Sequence, residues 1–106
     1  MASPLLQGKL HISGMDSRAA ALARQWQLGL ETIAFSYAPL LDDSAALPRT
    51  REEIHGISSL WLHGPFAELI PCAIDPRARA LAADRFREAI ALAKGYGAEK
   101  IVIHGG

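Results

Sequence analysis

Two histidines close apolar runs that have the form of buried strands. Residues 60–63 and residues 101–104 each read as a short apolar segment that ends in histidine and is followed by glycine. In a parallel α/β barrel the carboxyl ends of the strands meet at one rim, where their last side chains reach a ligand. Neutral imidazole binds metals such as zinc or manganese, and it also hydrogen-bonds to hydroxyl groups. The pattern predicts that His63 and His104 share a site at one rim.

The elements that position these histidines follow from the order of apolar runs and breakers. We expect strands at 9–13, 30–35, 59–63 and 100–104, with a helix between the first two that ends at Gly29 and a short helix over 48–55. The clearest helix follows Asp75 and Pro76, since aspartate caps a helix and proline favours its first position. Strands that alternate with helices imply a parallel sheet with right-handed crossovers.

Composition limits the class of protein. The 106 residues form at most one domain; half are apolar, and 11 basic residues balance 11 acidic ones. A zero net charge favours neither nucleic acid nor an anionic membrane. Cys72 is the lone cysteine, so no intrachain disulfide or cysteine zinc site is expected. We find no signal peptide and no apolar stretch near the roughly 20 residues of a membrane helix, and we expect a cytoplasmic protein.

Four motifs in order resemble a known family. They are His63-Gly64-Pro65-Phe66, the helix start Asp75-Pro76, the strand end at 101–106, and the strand entry at 29–33. This arrangement resembles the xylose isomerase-like TIM barrels, a superfamily that includes sugar phosphate isomerases and epimerases and the AP endonuclease family 2 domains. A complete barrel has eight strands and about 250 residues. The resemblance implies that 1–106 is a single domain, the N-terminal half of such a barrel, made of about four parallel (β/α) units.

The resemblance also implies roles for the two histidines. In members with a metal cluster, the residues at the positions of His63 and His104 are metal ligands; in single-metal isomerases they contact substrate instead. The complete protein would hold a divalent metal, Mn, Zn or Mg. Two histidines do not complete a metal site. The catalytic carboxylates would come from strands outside this chain, so the catalytic residues stay unknown.

Other residues are candidates for substrate contact. Ser36, Tyr37, Phe66 and Gly105 fall at strand ends on the expected rim, and His11 could point into the barrel near its mouth, although a structural role there is the simpler interpretation. A histidine at a strand end can also be a solvated residue with no ligand. The acids Asp42, Asp43 and Glu68 lie in loops, where nothing fixes their direction. Glu31 and Glu99 start strands on the opposite rim and are expected to serve stability.

Three functional hypotheses follow. The first is the N-terminal part of a metal-dependent isomerase or epimerase of a sugar or sugar phosphate, inactive by itself. The second is a zinc-dependent AP endonuclease-like DNA repair domain, which the neutral charge does not favour. The third is a non-catalytic half-barrel that pairs with another chain, self-association through an open sheet edge included, because an unpaired edge strand recruits partners.

Overall fold

A computed structural model describes residues 9–105 and shows a mixed α/β architecture. Its strands are hydrogen-bonded in the order β1-β2-β3-β4, and each neighbouring pair is parallel. The predicted fold class is confirmed, since four parallel strands with helical crossovers form a half barrel. The elements are β1 (His11–Ser13), α1 (Ala19–Trp26), β2 (Gly29–Thr32), a 3₁₀ helix (Ala38–Asp42), α2 (Ala46–Ile54), β3 (Leu60–His63), α3 (Pro76–Tyr96) and β4 (Lys100–Val102).

The helix α3 begins where the sequence places it. The Asp75 side chain accepts a hydrogen bond from the backbone N–H of Arg77 at 2.8 Å, and Pro76 occupies the first helical position. The helix ends at Gly97, which takes the left-handed conformation with φ 76°. Both ends therefore satisfy backbone groups that a helix otherwise leaves unpaired.

The end of α1 differs from the expectation for Gly29. Gln27, not Gly29, takes the left-handed conformation that closes the helix, with φ 53°. Gly29 is instead the first residue of β2, and a Cβ there would lie 2.2 Å from Cδ2 of His11. The glycine is required because the imidazole of His11 lies directly over the backbone of β2.

The two faces of the sheet have different surroundings. Leu30 and Leu62 are fully buried and pack in clusters with alanines of α1, α2 and α3. Because side chains alternate along a strand, Glu31 and Trp61 lie on the opposite face, where they are only half buried. We call this second face the inner face, since it corresponds to the interior of a barrel. Within residues 9–105, no helix is long and apolar enough to cross a membrane.

Candidate functional site

His63 and His104 meet at the carboxyl end of the sheet. His63 is the last residue of β3 and is in register with Val102, the last residue of β4, so His104 follows two residues later. The two Nε2 atoms are 3.0 Å apart, and the rings are tilted by 45° with centroids 4.9 Å apart. The structure thus brings together the two histidines on which the predicted site depends.

The proton positions on His63 follow from one contact. Its Nδ1 lies 2.7 Å from the backbone carbonyl oxygen of Gly64. A carbonyl only accepts, so Nδ1 carries a hydrogen and, in the neutral ring, Nε2 presents its lone pair. A backbone carbonyl on the second ring nitrogen is the usual way in which a metal-binding histidine is oriented.

Gly64 is also needed for the close approach of β3 and β4. Its N–H donates to the carbonyl oxygen of Val102 at 2.8 Å, and a Cβ at this position would lie 2.9 Å from the same oxygen. The sequence pattern of histidine followed by glycine therefore has a steric reason here. The glycine holds the end of β3 against β4 and its carbonyl orients the His63 ring.

The two ring nitrogens suit a shared metal ion. Nitrogen ligands bound to zinc at about 2.0–2.1 Å lie roughly 2.9 Å apart at a right angle and about 3.4 Å apart in a tetrahedron. The 3.0 Å separation falls in this interval. Among residues 9–105, however, no group of three or more His, Cys, Asp or Glu side chains could hold a metal. The pair offers two donors, and a complete site needs further ligands from elsewhere.

An aromatic side chain packs against both imidazoles. The Phe66 ring is stacked on His104 with centroids 5.1 Å apart, and it meets His63 edge-on at 5.3 Å. The Phe66 N–H donates to the carbonyl oxygen of Ser36 at 3.1 Å, which ties the segment after β3 to the segment after β2. Tyr37 lies beside Phe66 with ring centroids 6.1 Å apart. The two rings form an apolar wall next to the histidine nitrogens.

These side chains surround a cavity of about 300 Å³, which is large enough for a small molecule. Its lining consists of Ser13, Met15, Ile33, Ser36, Tyr37, His63, Phe66 and His104. Most of its surface is apolar, with hydroxyl groups and ring nitrogens among the apolar side chains. Ser13, Met15 and Ile33 were not anticipated, although their positions just at or after the ends of β1 and β2 were a usable signal. Gly105 is exposed beyond His104 and is not part of the lining.

His11 lies at the other end of the sheet, so its placement with the substrate-contacting residues is corrected. It is the first residue of β1, and its ring stacks on Trp61 with centroids 3.9 Å apart. Its Nε2 is 2.8 Å from Oγ of Ser59, which in turn donates to Glu99 at 3.0 Å. Burial lowers the pKa of His11 from its usual value, and Lys100 acts in the same direction. We call His11, Ser59, Trp61 and Glu99 the amino-end cluster.

The loop acids Asp42 and Asp43, whose direction the sequence does not fix, each form an ion pair with an arginine. Asp42 is paired with Arg85 at 2.9 Å, and the hydrogen bonds from this guanidinium lower the pKa of the Asp42 carboxyl. Asp43 is paired with Arg49 at 3.2 Å. Neither carboxylate lines the cavity. They stabilise the connection around the 3₁₀ helix.

Comparison with known proteins gives a solved structure with a similar fold. No protein-family model and no curated protein matches the chain. The chain is similar to the solved structure of the TTHB071 protein from Thermus thermophilus soaked with ZnCl2, with a TM-score of 0.69 and 26% sequence identity. The match covers 92% of this chain and 38% of that chain. This chain therefore spans well under half the length of its structural neighbour, with which it shares the parallel α/β unit.

Proposed function

We propose that this chain is the N-terminal part of a metal-dependent isomerase or epimerase acting on a sugar or sugar phosphate. The observation that carries the proposal is the convergence of His63 Nε2 and His104 Nε2 at 3.0 Å beside a small cavity. The resemblance of the motifs around both histidines to the xylose isomerase-like barrels supplies the reaction class. The proposal concerns a larger assembly, since the described residues contain no group of three or more His, Cys, Asp or Glu side chains that could hold a metal ion.

Five of the side chains around the cavity have a role in this chemistry. His63 and His104 would hold a divalent ion, which when bound supplies positive charge next to a substrate carbonyl oxygen. The Ser36 and Tyr37 hydroxyls offer hydrogen bonds to sugar hydroxyls, and the Phe66 ring offers an apolar surface for the C–H face of a sugar. The proton transfer itself needs a positioned base. Under the proposal, carboxylates from outside this chain provide it, so 1–106 alone should show no turnover.

The test is calorimetric titration of the purified chain with Zn²⁺, Mn²⁺ and Mg²⁺. We expect binding that disappears in a His63→Ala, His104→Ala double variant, because both nitrogen donors are then gone. His55→Ala is the matched control, since His55 is an exposed histidine outside the cavity. Binding that survives in the double variant, or no binding of any of the three ions by the wild type, would contradict the proposed metal role of the pair.

A zinc-dependent AP endonuclease-like domain is the second candidate. The observation that favours it is again the pair of converging nitrogens, because in that reading both histidines are direct ligands. It requires a surface that attracts phosphates. Within residues 9–105, several arginines form ion pairs with acidic side chains, among them Arg18, Arg49, Arg85 and Arg87.

The two candidates differ in what the metal-loaded chain binds. A fluorescence anisotropy titration with an abasic duplex and with an intact duplex of the same sequence separates them. Zinc-dependent preference for the abasic duplex would favour the endonuclease. Equal and weak binding of both duplexes, together with chemical-shift changes of the Tyr37 and Phe66 rings on addition of a ketose, would favour the isomerase.

A further inference from the structure

The two imidazoles of the rim pair are held in different ways. His63 is half buried at the end of β3, and the Gly64 carbonyl oxygen fixes its ring. His104 lies two residues beyond the end of β4 and is exposed, and within residues 9–105 its ring forms one hydrogen bond, with Nε2 of His63. An exposed side chain has several staggered rotamers open to it. The direction of the His104 ring therefore depends on this hydrogen bond and on what packs against the ring.

The hydrogen bond between the two rings is lost in the metal-binding state. Nδ1 of His63 carries a hydrogen, so in the neutral pair Nε2 of His104 donates to the lone pair on Nε2 of His63. A metal ion shared by both nitrogens needs a lone pair on each, so the hydrogen must leave Nε2 of His104. Two lone pairs then face each other across 3.0 Å with no attraction between them. A contact that is independent of this hydrogen must keep the rings together.

The Phe66 ring makes such a contact with both imidazoles. It is stacked on His104 with an interplanar angle of 25°, and it meets His63 edge-on at 69°. The centroid separations of 5.1 and 5.3 Å lie in the range of about 4.5–7 Å in which aromatic rings attract each other. Packing of this kind does not require a hydrogen on Nε2. It can thus hold His104 beside His63 in either tautomer.

The backbone of Phe66 is itself anchored, although the residue is 40% exposed. Its N–H donates to the carbonyl oxygen of Ser36 at 3.1 Å, and its carbonyl oxygen accepts from the N–H of Leu69 at 3.2 Å. The preceding residue, Pro65, is fully buried, and its own ring fixes its φ angle. The segment after β3 therefore presents the Phe66 ring to the two imidazoles from a fixed backbone.

We propose that Phe66 is a positioning residue, whose ring aligns His104 with His63 so that both Nε2 atoms reach one metal ion. The inference rests on the proposed metal role of the pair. It is separate from the surface that Phe66 offers to a sugar, because the alignment precedes substrate binding. Partners that orient a metal ligand typically contribute about ten- to a hundredfold to metal affinity. Phe66 acts through packing and not through a hydrogen bond, so we expect an effect at the lower end, about tenfold.

Calorimetric titration of three variants with Zn²⁺ tests the effect on affinity. Phe66→Leu keeps an apolar side chain but removes the flat ring, and it should weaken zinc binding about tenfold. Phe66→Tyr should bind like the wild type, because it keeps the ring and the exposed position admits a hydroxyl. Phe86→Leu is the matched control, since Phe86 is half buried against Leu69 and Ala82 and does not line the cavity. Far-UV circular dichroism shows whether each variant is folded, and Phe66→Met serves if Phe66→Leu is not.

Nuclear Overhauser effects between the ring protons of His63 and His104 test the alignment itself, in the absence of metal. The wild type and Phe66→Tyr should show these effects, and folded Phe66→Leu should lose them. A wild type that binds no zinc would contradict the proposed function, whereas loss of the effects in Phe66→Leu would still support alignment of the rings by Phe66.

Three results would overturn the inference. They are a wild type without these Overhauser effects, a folded Phe66→Leu that keeps them or binds zinc as the wild type does, and an equal loss of zinc affinity in Phe86→Leu.

Discussion

Both ends of the inner face carry histidines in hydrogen-bonded contacts, but only the histidines at the carboxyl end border a cavity. At the amino end, His11 contacts Ser59, Ser59 donates to Glu99, and Trp61 stacks on the imidazole. At the carboxyl end, His63 and His104 present ring nitrogens to each other beside an open cavity.

The same residue type thus has different surroundings at the two ends: side-chain contacts enclose it at the amino end, and it faces a cavity at the carboxyl end. The amino-end cluster links β1 to β3 and β4 across Gly29, so its polar groups serve the sheet. The carboxyl-end pair lies where the ladder ends and where loops of several strands converge. Parallel α/β folds place ligands at this end for the same reason.

Metal binding provides the largest expected contrast between the two ends. Single His63→Ala and His104→Ala variants should each weaken zinc binding by at least about a hundredfold, because loss of a direct ligand exceeds the effect of losing an outer partner. His11→Ala should leave zinc affinity unchanged, since the ring lies at the opposite end of the sheet. Isothermal titration calorimetry measures all three. Equal losses of zinc affinity in His11→Ala and His63→Ala would show that the two ends of the sheet do not differ in metal binding.

The next largest expected effect is a loss of folding stability on substitution of Gly29. Gly29→Ala places a Cβ 2.2 Å from the His11 ring, so the imidazole must leave its stack on Trp61. We expect a loss of about 1–3 kcal/mol in the free energy of unfolding, the usual cost of overpacking. Urea denaturation measures it. A Gly29→Ala, His11→Ala double variant should lose less than the sum of the single variants, because the clash needs both side chains.

Gly95→Ala is the control for this experiment. Gly95 lies inside α3, and a Cβ there meets no atom within 4 Å. Replacement of a helical glycine by alanine stabilises by about 0.4–1 kcal/mol. The two glycine substitutions should thus change stability in opposite directions, and destabilisation of equal size in both would show that the contact with His11 is not the cause.

The comparison also shows what the sequence could predict. The start of α3 was predictable because Asp75 and Pro76 act locally, through capping and backbone conformation. The parallel sheet was predictable because each apolar run is followed by a helix. The meeting of His63 and His104 could be anticipated for the same reason, since strands of a parallel sheet end at a common rim.

The rest depends on contacts between distant segments. The identity of the residue that ends α1 was predicted incorrectly because glycine is a good helix terminator, whereas Gly29 is needed for the His11 ring in another strand. His11 was a candidate near the mouth, with a structural role as the simpler interpretation, and its contacts with Ser59 and Trp61 place it at the amino end. The amino-end cluster joins residues 11, 59 and 99, and no local sequence pattern predicts contacts between positions so far apart.

Ser59 tests the amino-end cluster with a smaller change. Ser59→Ala removes the hydroxyl between His11 and Glu99, and we expect a loss of about 1 kcal/mol in the free energy of unfolding, because the side chain is 7% exposed. Ser58→Ala, at the exposed neighbouring position, should change it by much less. Zinc titration of both variants should match the wild type. A change of zinc affinity in Ser59→Ala would mean that the two ends are coupled.

The pH dependence of stability is the finest test of the difference. Burial, with Lys100 second among the lowering causes, holds the pKa of His11 below its usual value, while Glu99 and Glu31 act against this. Below pH about 6.5, the unfolded chain therefore takes up a proton at this position more readily than the folded one, and stability falls as the pH falls through the lowered pKa. His11→Gln should flatten this part of the curve in urea titrations between neutral and mildly acidic pH. Parallel curves for variant and wild type would show that His11 carries no such linkage.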